Sequence, residues 1–277
     1  MKTFFKWSGG KSRELKKITP MMPASWDTYY EPFVGGGALW LKLEPDKSVV
    51  NDSFEEVANF YNVLKQEPQK LIGHLNDIAT EYNKIDKDPK LLSKEEFQKV
   101  ADEYYYAYRN TKPDSSFNQA VRFYILRQFS FSGMLRFSKE GKFNVPFGWY
   151  KKLKKLEQPI ETIKSVFNNT KILNADWKDV VKEAKKSDFV FLDPPYTRKF
   201  QKYHPNGEFG QEQHIELADW FKTKQSQAMI IINIDEFTTS LYKDFIVESY
   251  DHKYSIQYRD RMTKEDSNAK HLLAINY

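Results

Sequence analysis

One stretch decides the fold: Ser187-Asp188-Phe189-Val190-Phe191-Leu192-Asp193-Pro194-Pro195-Tyr196. Its apolar run, Phe189 to Leu192, is bounded by breaker residues, a pattern typical of a buried strand in a parallel sheet. Two successive prolines donate no backbone hydrogen bond, so the strand ends there, while their carbonyls still accept. A carboxylate, free carbonyls and a tyrosine ring at a stiff strand end fit a flat ring that carries an amine. The same residues also fit a purely structural turn.

Composition places the chain among globular proteins. With 277 residues, 40% hydrophobic and 29% charged, it is long enough for one large domain or a domain with an insertion. The charge, 43 − 38 = +5, permits a polyanionic partner without requiring one. Cysteine is absent, which excludes disulfides, thiolate metal sites and a cysteine nucleophile. The start lacks a signal-peptide core and no run approaches membrane-spanning length, so we expect a cytoplasmic protein without a membrane partner.

The segment Trp7-Ser8-Gly9-Gly10-Lys11-Ser12 ends like a phosphate-binding P-loop. A P-loop also needs a glycine at position 5, where this chain has Phe5, and an apolar strand before it. A nucleoside triphosphatase is therefore disfavoured. A glycine-loosened segment with a lysine and an indole instead fits a cover over a bound ligand, with Lys11 meeting a carboxylate.

A strand, a glycine turn and a helix are predicted in Thr28-Tyr29-Tyr30-Glu31-Pro32-Phe33-Val34-Gly35-Gly36-Gly37-Ala38-Leu39-Trp40. Such a unit lets the backbone approach a ligand closely, with helix N–H groups pointing at it. The next predicted strand ends at Asp52, the position from which Rossmann-type sheets hold a ribose. Together these features favour an adenosine-containing cofactor over a structural glycine turn.

Helical spacing of apolar residues runs from Phe54 to about Phe131, with one helix predicted over Phe117 to Phe129. Next, the stretch from Phe131 to Gly148 predicts a β-hairpin that turns at Lys139 to Gly141. This ribbon suits a groove of duplex nucleic acid, because it combines aromatic residues with Arg136 and is followed by the lysines of Tyr150-Lys151-Lys152-Leu153-Lys154-Lys155. In such a groove the arginine would read guanine and the lysines would contact phosphates. For the lysines alone, a solvated charged loop fits as well.

The α/β alternation resumes with a strand, Lys171-Ile172-Leu173, that leads to the acid Asp176. After the opening stretch we expect a mobile loop over the site from Thr197 to Gly210. A helix over 211–224 and strands over 227–233 and 271–277 complete the pattern, and His204 and His214 do not suggest a metal site. The fold class predicted is α/β: a Rossmann-like catalytic and cofactor-binding domain, 1–55 plus 170–277, with an inserted, mainly helical target-recognition subdomain, 56–169, that carries the hairpin.

Four separated motifs resemble the Dam-type DNA N6-adenine methyltransferases, the D12 class, in their alpha-group order. They are Lys6-Trp7-Ser8-Gly9-Gly10-Lys11, Glu31-Pro32-Phe33-Val34-Gly35-Gly36-Gly37, Gly141-Lys142-Phe143-Asn144-Val145-Pro146-Phe147-Gly148 with Arg136 ahead of it, and Asp193-Pro194-Pro195-Tyr196. These motifs span nearly the whole chain. The resemblance implies a Rossmann-like methyltransferase that uses S-adenosylmethionine and double-stranded DNA, with a cognate restriction endonuclease as an optional partner and no obligate one.

The resemblance also implies roles for individual residues. Cofactor binding falls to Trp7, Lys11, Phe33, Gly35, Gly37, Asp52, Asp176 and Asp193, with Asp52 on the ribose hydroxyls and Asp176 on the adenine edge. Catalysis falls to Asp193, Pro194, Pro195 and Tyr196. DNA binding falls to Phe131, Ser132, Met134, Arg136, Ser138, Asn144, Lys151 and Lys152. Because Ser132 and Ser138 stand where many relatives carry asparagine, the implied target is GATC or a related adenine-containing site.

The chemistry of the strand end leaves other acceptors open. The same fold serves N4 of cytosine, an adenine in RNA or a protein amide. A non-enzymatic DNA-binding module with a degenerate site is a further alternative. Asp193, rather than serine or asparagine, favours adenine, and the Arg136 hairpin favours duplex DNA over a peptide. The intact Asp193-Pro194-Pro195-Tyr196 and triple glycine argue against a mere binder.

Overall fold

The computed structural model describes residues 1–85, 94–138, 140–196, 209–253 and 268–277. In these ranges the strands form one seven-stranded sheet from β1 (Tyr29–Glu31), β2 (Ser48–Asn51), β3 (Thr170–Leu173), β4 (Phe189–Leu192), β5 (Gln227–Asn233), β6 (Ile246–Lys253) and β7 (Asn268–Ile275). The α-helices of the same ranges are α1 (Leu15–Ile18), α2 (Ala38–Leu43), α3 (Glu55–Gln66), α4 (Pro68–Lys84), α5 (Lys94–Asn110), α6 (Ser116–Phe129), α7 (Ile160–Asn168), α8 (Trp177–Val181), α9 (Gln211–Thr223) and α10 (Glu236–Tyr242).

The sheet is doubly wound, with strands in the order β3-β2-β1-β4-β5-β7-β6. Strand β1 pairs in parallel with β2 and β4, and β4 pairs in parallel with β5. Strand β7 runs antiparallel to β5 and β6. The strand order reverses between β1 and β4, and open α/β sheets bind ligands outside the carboxyl ends of the strands at such a point. The prediction of a Rossmann-like α/β sheet is confirmed.

Strand β4 is the apolar run from which the fold was predicted. All four of its residues are buried, at most 1% exposed. The carboxylate of Asp188 fixes the start of the strand, since it accepts hydrogen bonds from the Thr28 and Lys185 amides at 3.0 and 2.8 Å. Full burial of such a side chain contributes about 1.5–3 kcal/mol to the free energy of unfolding. Sliding the strand would expose these side chains, so burial fixes the position of its carboxyl end.

Two compact units emerge from the contacts within the chain. We call Lys11–Val34, Pro45–Ser53 and Leu173–Tyr277 the sheet unit, and Met1–Gly10, Gly35–Glu44 and Phe54–Ile172 the helical unit. In the sheet unit, apolar side chains of β1, β4, β5 and β7 pack with those of α8, α9 and α10 in one buried cluster. This cluster holds β4, whose carboxyl end carries the predicted acid Asp193.

The helical unit is built around an aromatic cluster. Phe5 contacts the rings of Phe60 and Phe123 at centroid distances of 5.1 and 4.9 Å, and Trp40 contacts Phe167 at 4.9 Å. Edge-to-face ring pairs of this kind add about 0.5–1.5 kcal/mol beyond their buried area. The sequence pattern grouped residues 1–55 with the sheet, whereas these contacts join 1–10 and 35–44 to the helices.

Several elements agree with the sequence pattern and others were missed. The predicted helix over Phe117 to Phe129 is present as α6, capped by Ser115, whose Oγ accepts from the Asn118 amide at 3.2 Å. The predicted hairpin is present as antiparallel bridges between Ser130 and Phe147 and between Phe137 and Phe143, rather than as regular strands. Strand β6 and helix α10 were not predicted, because β6 is rich in charged residues and α10 is short.

Some predicted features lie outside the described residues. They are Lys139 of the hairpin turn, most of the expected mobile loop, 197–208, and His204. None of the helices in the described ranges is long and apolar enough to cross a membrane. In the same ranges, no group of three or more histidine or acidic side chains lies close enough together to hold a metal ion.

Candidate active site

A buried asparagine joins the ends of three strands in the sheet unit. Asn51, the last residue of β2 and 1% exposed, donates its amide to the carbonyls of Pro32 and Ala175 at 2.9 and 3.1 Å. Its Oδ1 accepts the Ala175 amide at 2.9 Å. The segments after β1, β2 and β3 are thereby held together at one edge. Since Asp52 and Asp176 lie in these segments, Asn51 fixes where two of the predicted acids stand.

The flanks of Asp52 and Asp176 are also constrained. Asn174 donates its amide to the Asp52 and Ser53 carbonyls at 2.8 and 3.1 Å, which fixes the loop after β2. Asp176 is exposed and caps α8, its Oδ1 accepting the Lys178 amide at 2.9 Å. A cap occupies one carboxylate oxygen and leaves further acceptor positions on the group.

An aromatic wall stands beside these acids. Phe33, in the segment after β1, is half-buried, and its ring lies 6.4 Å from Trp177 and 5.5 Å from Phe209. The Phe209 contact is nearly perpendicular, at 88°. A ring that is held by neighbours and still partly exposed can stack on a planar ligand.

Asp193 stands at the carboxyl end of β4, next to the switch point. Its side chain is 20% exposed, and Lys11, itself only 3% exposed, contacts both carboxylate oxygens. Burial raises the pKa of Asp193, and the Lys11 ammonium opposes that rise. The ion pair therefore keeps available a carboxylate that burial alone would tend to protonate.

The remaining residues of the Asp-Pro-Pro-Tyr motif frame that carboxylate. Pro194 is buried, Pro195 is exposed and Tyr196 is half-buried. The Tyr196 hydroxyl donates to Asp193 Oδ1 at 3.4 Å, and Lys11 Nζ lies 5.2 Å from the Tyr196 ring centroid. An acceptor, a cation and a ring thus converge at one strand end.

Behind this group lies a buried acid that sequence reasoning missed. Glu14, 3% exposed, accepts hydrogen bonds at Oε2 from the Tyr250 hydroxyl and His271 Nδ1, each at 2.7 Å. Burial acts to raise the pKa of Glu14, but the hydrogen bond from His271 and the nearby Lys11 ammonium outweigh it and lower the pKa. A glutamate three residues after the Gly-Gly-Lys segment was the available signal, but its partners come from β6 and β7.

In the helical unit, Trp7 lies directly against the triple-glycine turn. A Cβ on Gly35 would lie 2.2 Å from the Trp7 Nε1, and one on Gly36 would lie 2.9 Å from the Trp7 Cβ. Gly35 and Gly37 also have positive φ angles, +45° and +62°. Only glycine satisfies both demands at Gly35, so the turn and the indole specify each other.

The same unit contains a buried arginine that the sequence analysis did not single out. Arg127, 1% exposed, donates from Nε and Nη2 to the Lys6 carbonyl at 3.0 and 2.9 Å and from Nη1 to the Met134 carbonyl at 3.1 Å. It also donates to the Gly133 carbonyl. Burial lowers its pKa to about 9. Arg127 therefore fixes the start of the predicted recognition hairpin.

Within the hairpin, Arg136 is exposed and held by the facing arm. Its Nε donates to Asn144 Oδ1 at 2.7 Å and its Nη2 to the Asn144 carbonyl at 2.9 Å. Ser138 Oγ accepts the amides of Glu140 and Lys142, both at 3.3 Å, and so supports the turn. Arg136 is thus held by Asn144 of the facing arm rather than left as a loose side chain.

The other predicted DNA-binding residues differ in accessibility. Phe131 is 41% exposed, whereas Met134 is buried. Ser132 lies in a single helical turn over Phe131–Gly133, and its side chain is outside the described set. Of Phe131 and Met134, Phe131 is therefore the one whose side chain faces solvent.

The lysine-rich segment is clamped by two asparagines of α4. Asn83 donates to the Leu153 carbonyl at 2.9 Å and accepts the Leu153 amide at 3.0 Å. Asn76 repeats this arrangement at Leu156, at 3.0 and 2.8 Å. Both leucines are buried, and the lysines between and before them face solvent: Lys151, Lys152, Lys154 and Lys155. The segment is therefore a fixed row of positive charges.

The reversed strand order, the antiparallel β7 and the acid at the end of β4 together define a Rossmann-like methyltransferase. The family model of the D12 class N6 adenine-specific DNA methyltransferases matches residues 7–256, and this chain belongs to that family. It is accordingly an adenine-specific DNA methyltransferase that acts on DNA with a methyl donor.

Three relatives show the range of similarity. The chain is 31% identical to "Type II methyltransferase M.CviBI" of Paramecium bursaria Chlorella virus NC1A, over 100% of both chains. It is 34% identical to "Type II methyltransferase M1.LlaDCHI" of Lactococcus lactis subsp. cremoris, over 88% of this chain and 86% of that one. It is 29% identical to a "DNA adenine methylase" of Vibrio cholerae, over 86% of this chain and 82% of that one.

Proposed function

We propose that this enzyme transfers the methyl group of S-adenosylmethionine to N6 of an adenine turned out of duplex DNA, at GATC or a related site. One observation carries the proposal. The Asp193 carboxylate stands at the carboxyl end of β4, paired with Lys11 and adjoined by the Tyr196 ring. An acceptor beside a ring is what an adenine amine requires.

The chemistry of the sheet-unit residues fits this methyl donor. S-adenosylmethionine carries an ammonium, a carboxylate, two ribose hydroxyls and an adenine ring. The protein's carboxylates after β2, β3 and β4 can accept hydrogen bonds from the ammonium, hydroxyl and amine groups of S-adenosylmethionine. Lys11 can pair with its carboxylate. We assign Asp52 to the ribose, Asp176 and Phe33 to the adenine, and Lys11 and Asp193 to the amino-acid end. When bound, the donor would supply an electrophilic methyl on a sulfonium and, as the S–CH3 bond breaks, would leave as the neutral thioether S-adenosylhomocysteine.

The enzyme's own groups would activate the amine. An exocyclic adenine nitrogen is a poor nucleophile because its lone pair is delocalised into the ring. Asp193 and the Pro194 carbonyl would accept hydrogen bonds from its two N–H groups, which favours a pyramidal nitrogen whose lone pair is free to attack. Once the nitrogen carries the methyl group, one of its hydrogens leaves as a proton. Fixed acceptors of this kind act by electrostatic preorganisation, and one such contact is worth about 2.7–4 kcal/mol. Holding both reactants in attack geometry lowers the barrier further.

The target base has to leave the duplex to reach this site. Unstacking and unpairing a base costs a few kcal/mol, which a pocket with a stacking face offsets. Tyr196 supplies that face, and Pro195 holds it on the stiff strand end. No covalent intermediate with the enzyme is required.

We assign DNA recognition to the helical unit. The exposed Arg136 reads a guanine, and the fixed row that begins with Lys151 and Lys152 meets phosphates. Phe131, Ser132, Met134, Ser138 and Asn144 shape the hairpin that carries the arginine. By resemblance, Trp7, Gly35 and Gly37 contribute to donor binding. A cognate endonuclease and a cytoplasmic site of action are further expectations from the family.

Modified-base sequencing tests the proposed function. The wild-type protein and Asp193→Ala are expressed in a host that lacks adenine methylation, and its DNA is read on single molecules. We expect N6-methyladenine at one short motif with the wild-type protein and none with Asp193→Ala. N4-methylcytosine instead, or methylation confined to RNA, would overturn the assignment.

A further inference from the structure

The Glu14–His271 pair has no role in the proposed chemistry. Glu14 and His271 are 3% and 1% exposed, and Oε2 of the acid lies 2.7 Å from Nδ1 of the imidazole. Replacing a buried charged network with apolar residues of similar volume is often neutral or stabilising, so stability alone is a weak reason for its presence. Because a carboxylate only accepts, the imidazole donates from Nδ1, and its tautomer and ring plane are fixed.

The pair reaches the Asp193 site from two sides. Along the chain, the Glu14 amide donates to the Lys11 carbonyl at 2.8 Å, so the acid lies one turn beyond the lysine that holds Asp193. Through space, the His271 ring lies 5.3 Å from the Tyr196 ring at an angle of 66°. An edge-to-face contact is a favoured aromatic geometry and sets the tilt of both rings.

Strand pairing holds His271 in place. On β7 it is paired with Asn233 of β5 on one side and Tyr250 of β6 on the other. Tyr196, in contrast, follows two prolines outside the sheet and is half-buried. Of these two rings, the imidazole is therefore the rigid one, and it can orient the phenol.

We infer that His271, with its ring fixed by Glu14, is a positioning residue that sets the Tyr196 ring against the extruded adenine. The inference rests on the proposed function, since it requires a base to stack on Tyr196. Stacking against an aromatic side chain holds an unpaired base in place, and a displacement of about 1 Å at a reacting centre can cost about a hundredfold in rate.

The variant His271→Asn tests the contribution of the imidazole ring independently of its hydrogen bond to Glu14. The asparagine amide places a donor near the position of Nδ1, so Glu14 keeps its partner, while the ring edge against Tyr196 is lost. Tyr250→Phe is the matched control, because it removes the other 2.7 Å hydrogen bond to the same Glu14 oxygen and leaves the His271 ring in place. Glu14→Gln keeps an oxygen acceptor and serves as a second variant.

Three readouts are measured on the full chain: kcat and KM for both substrates, thermal melting, and the emission of duplex DNA with 2-aminopurine at the target position, without methyl donor. For His271→Asn we expect kcat to fall between about tenfold and a hundredfold, with KM for the donor unchanged. Emission of the bound DNA should rise above that of the wild-type complex, because the extruded base loses its stacking partner. Glu14→Gln should show the same changes to a smaller extent.

For Tyr250→Phe we expect a lower melting temperature with kcat and emission near wild type. Wild-type kcat and emission in His271→Asn would overturn the inference, as would equal losses of kcat in His271→Asn and Tyr250→Phe. Asp193→Ala is run beside them. Its inactivity, together with an active wild type, keeps the proposed function standing whatever His271→Asn shows.

Discussion

Lys11 and Asp193 form a close ion pair in which Nζ lies 2.6 Å from Oδ1 and 2.7 Å from Oδ2. The lysine comes from the Gly-Gly-Lys segment and the acid from the end of β4, 182 residues apart. The first and last motifs of the sequence therefore meet in one contact. Lys11 stabilises the negative charge of Asp193, the group to which we assign the hydrogen bond from the adenine amine.

Lys11→Met should move the acid limb of the rate profile. Burial raises the pKa of Asp193 and Lys11 lowers it, so loss of the ammonium raises this pKa further. Less carboxylate is then present at a given pH, and kcat at saturating donor and DNA should begin to fall at a higher pH than in the wild type. The measurement is kcat against pH.

Lys17→Met is the control for that experiment. Lys17 forms an exposed ion pair with Glu248, so its loss removes the same charge from the sheet unit without touching Asp193. An acid limb that stays in place in Lys11→Met, or moves equally in both variants, would contradict the role given to Lys11.

Arg136→Ala should relax sequence preference. The guanidinium is exposed and presented by Asn144, as a guanine-reading group requires. Loss of one base contact costs about 1–3 kcal/mol at that position and little elsewhere. Binding to a panel of single-base variants of the target checks this. Equal weakening on every sequence would count against base reading.

Lys151→Ala and Lys152→Ala should weaken binding evenly across sequences. Each exposed lysine that meets a phosphate contributes about one to the salt slope of log K, and its loss flattens that slope by about one. Binding titrations at several salt concentrations measure the slope. Lys112→Ala, an exposed lysine of the same unit outside the row, should leave it unchanged. A change in sequence preference would disagree with a phosphate-only role.

Much of the sheet was predictable because its signals are local. The run Phe189–Leu192 indicates a buried strand because it is short and ends at breaker residues. The spacing from the triple glycine to Asp52 is that of a βαβ unit. These positions are set by constraints on the backbone, and such constraints can be recognised from the residue types in the sequence.

The supports of the site were not predictable, because they depend on tertiary pairing. Asn51 ties three strand ends, and His271 reaches Glu14 across 257 residues. Arg127 is buried, and its place in the largely buried helix α6 gives no sign in the sequence of the three carbonyls to which it donates. A short hairpin pattern suggests that Met134 is accessible, whereas its side chain is buried.

His214 should make stability depend on pH. It is fully buried on α9, and burial lowers its pKa to about 4 from an ordinary 6.5. The unfolded chain therefore binds more protons between these values. The free energy of unfolding therefore includes a contribution from neutral His214 that is fully present above about pH 6.5. This contribution is lost as pH falls toward 4, and it amounts to at most about 3 kcal/mol.

Urea unfolding at pH 7 and pH 5 measures that dependence. His214→Gln should reduce the difference between the two pH values, whereas His74→Gln, at an exposed histidine, should leave it unchanged. An identical difference in the wild type and His214→Gln would rule out this source.

Asp193 gives the most direct test of the central claim, that the carboxylate at the end of β4 activates the adenine amine. Asp193→Ala and Asp188→Asn, an acid at the opposite end of the same strand, are compared by calorimetry with S-adenosylmethionine and by transfer of a tritiated methyl group to duplex DNA. We predict that Asp193→Ala binds the donor more weakly, because Asp193 also faces its amino-acid end, and that at saturating donor it loses about a hundredfold or more in kcat, while Asp188→Asn loses stability and retains kcat. Methyl transfer by folded Asp193→Ala at a rate near wild type would contradict the account.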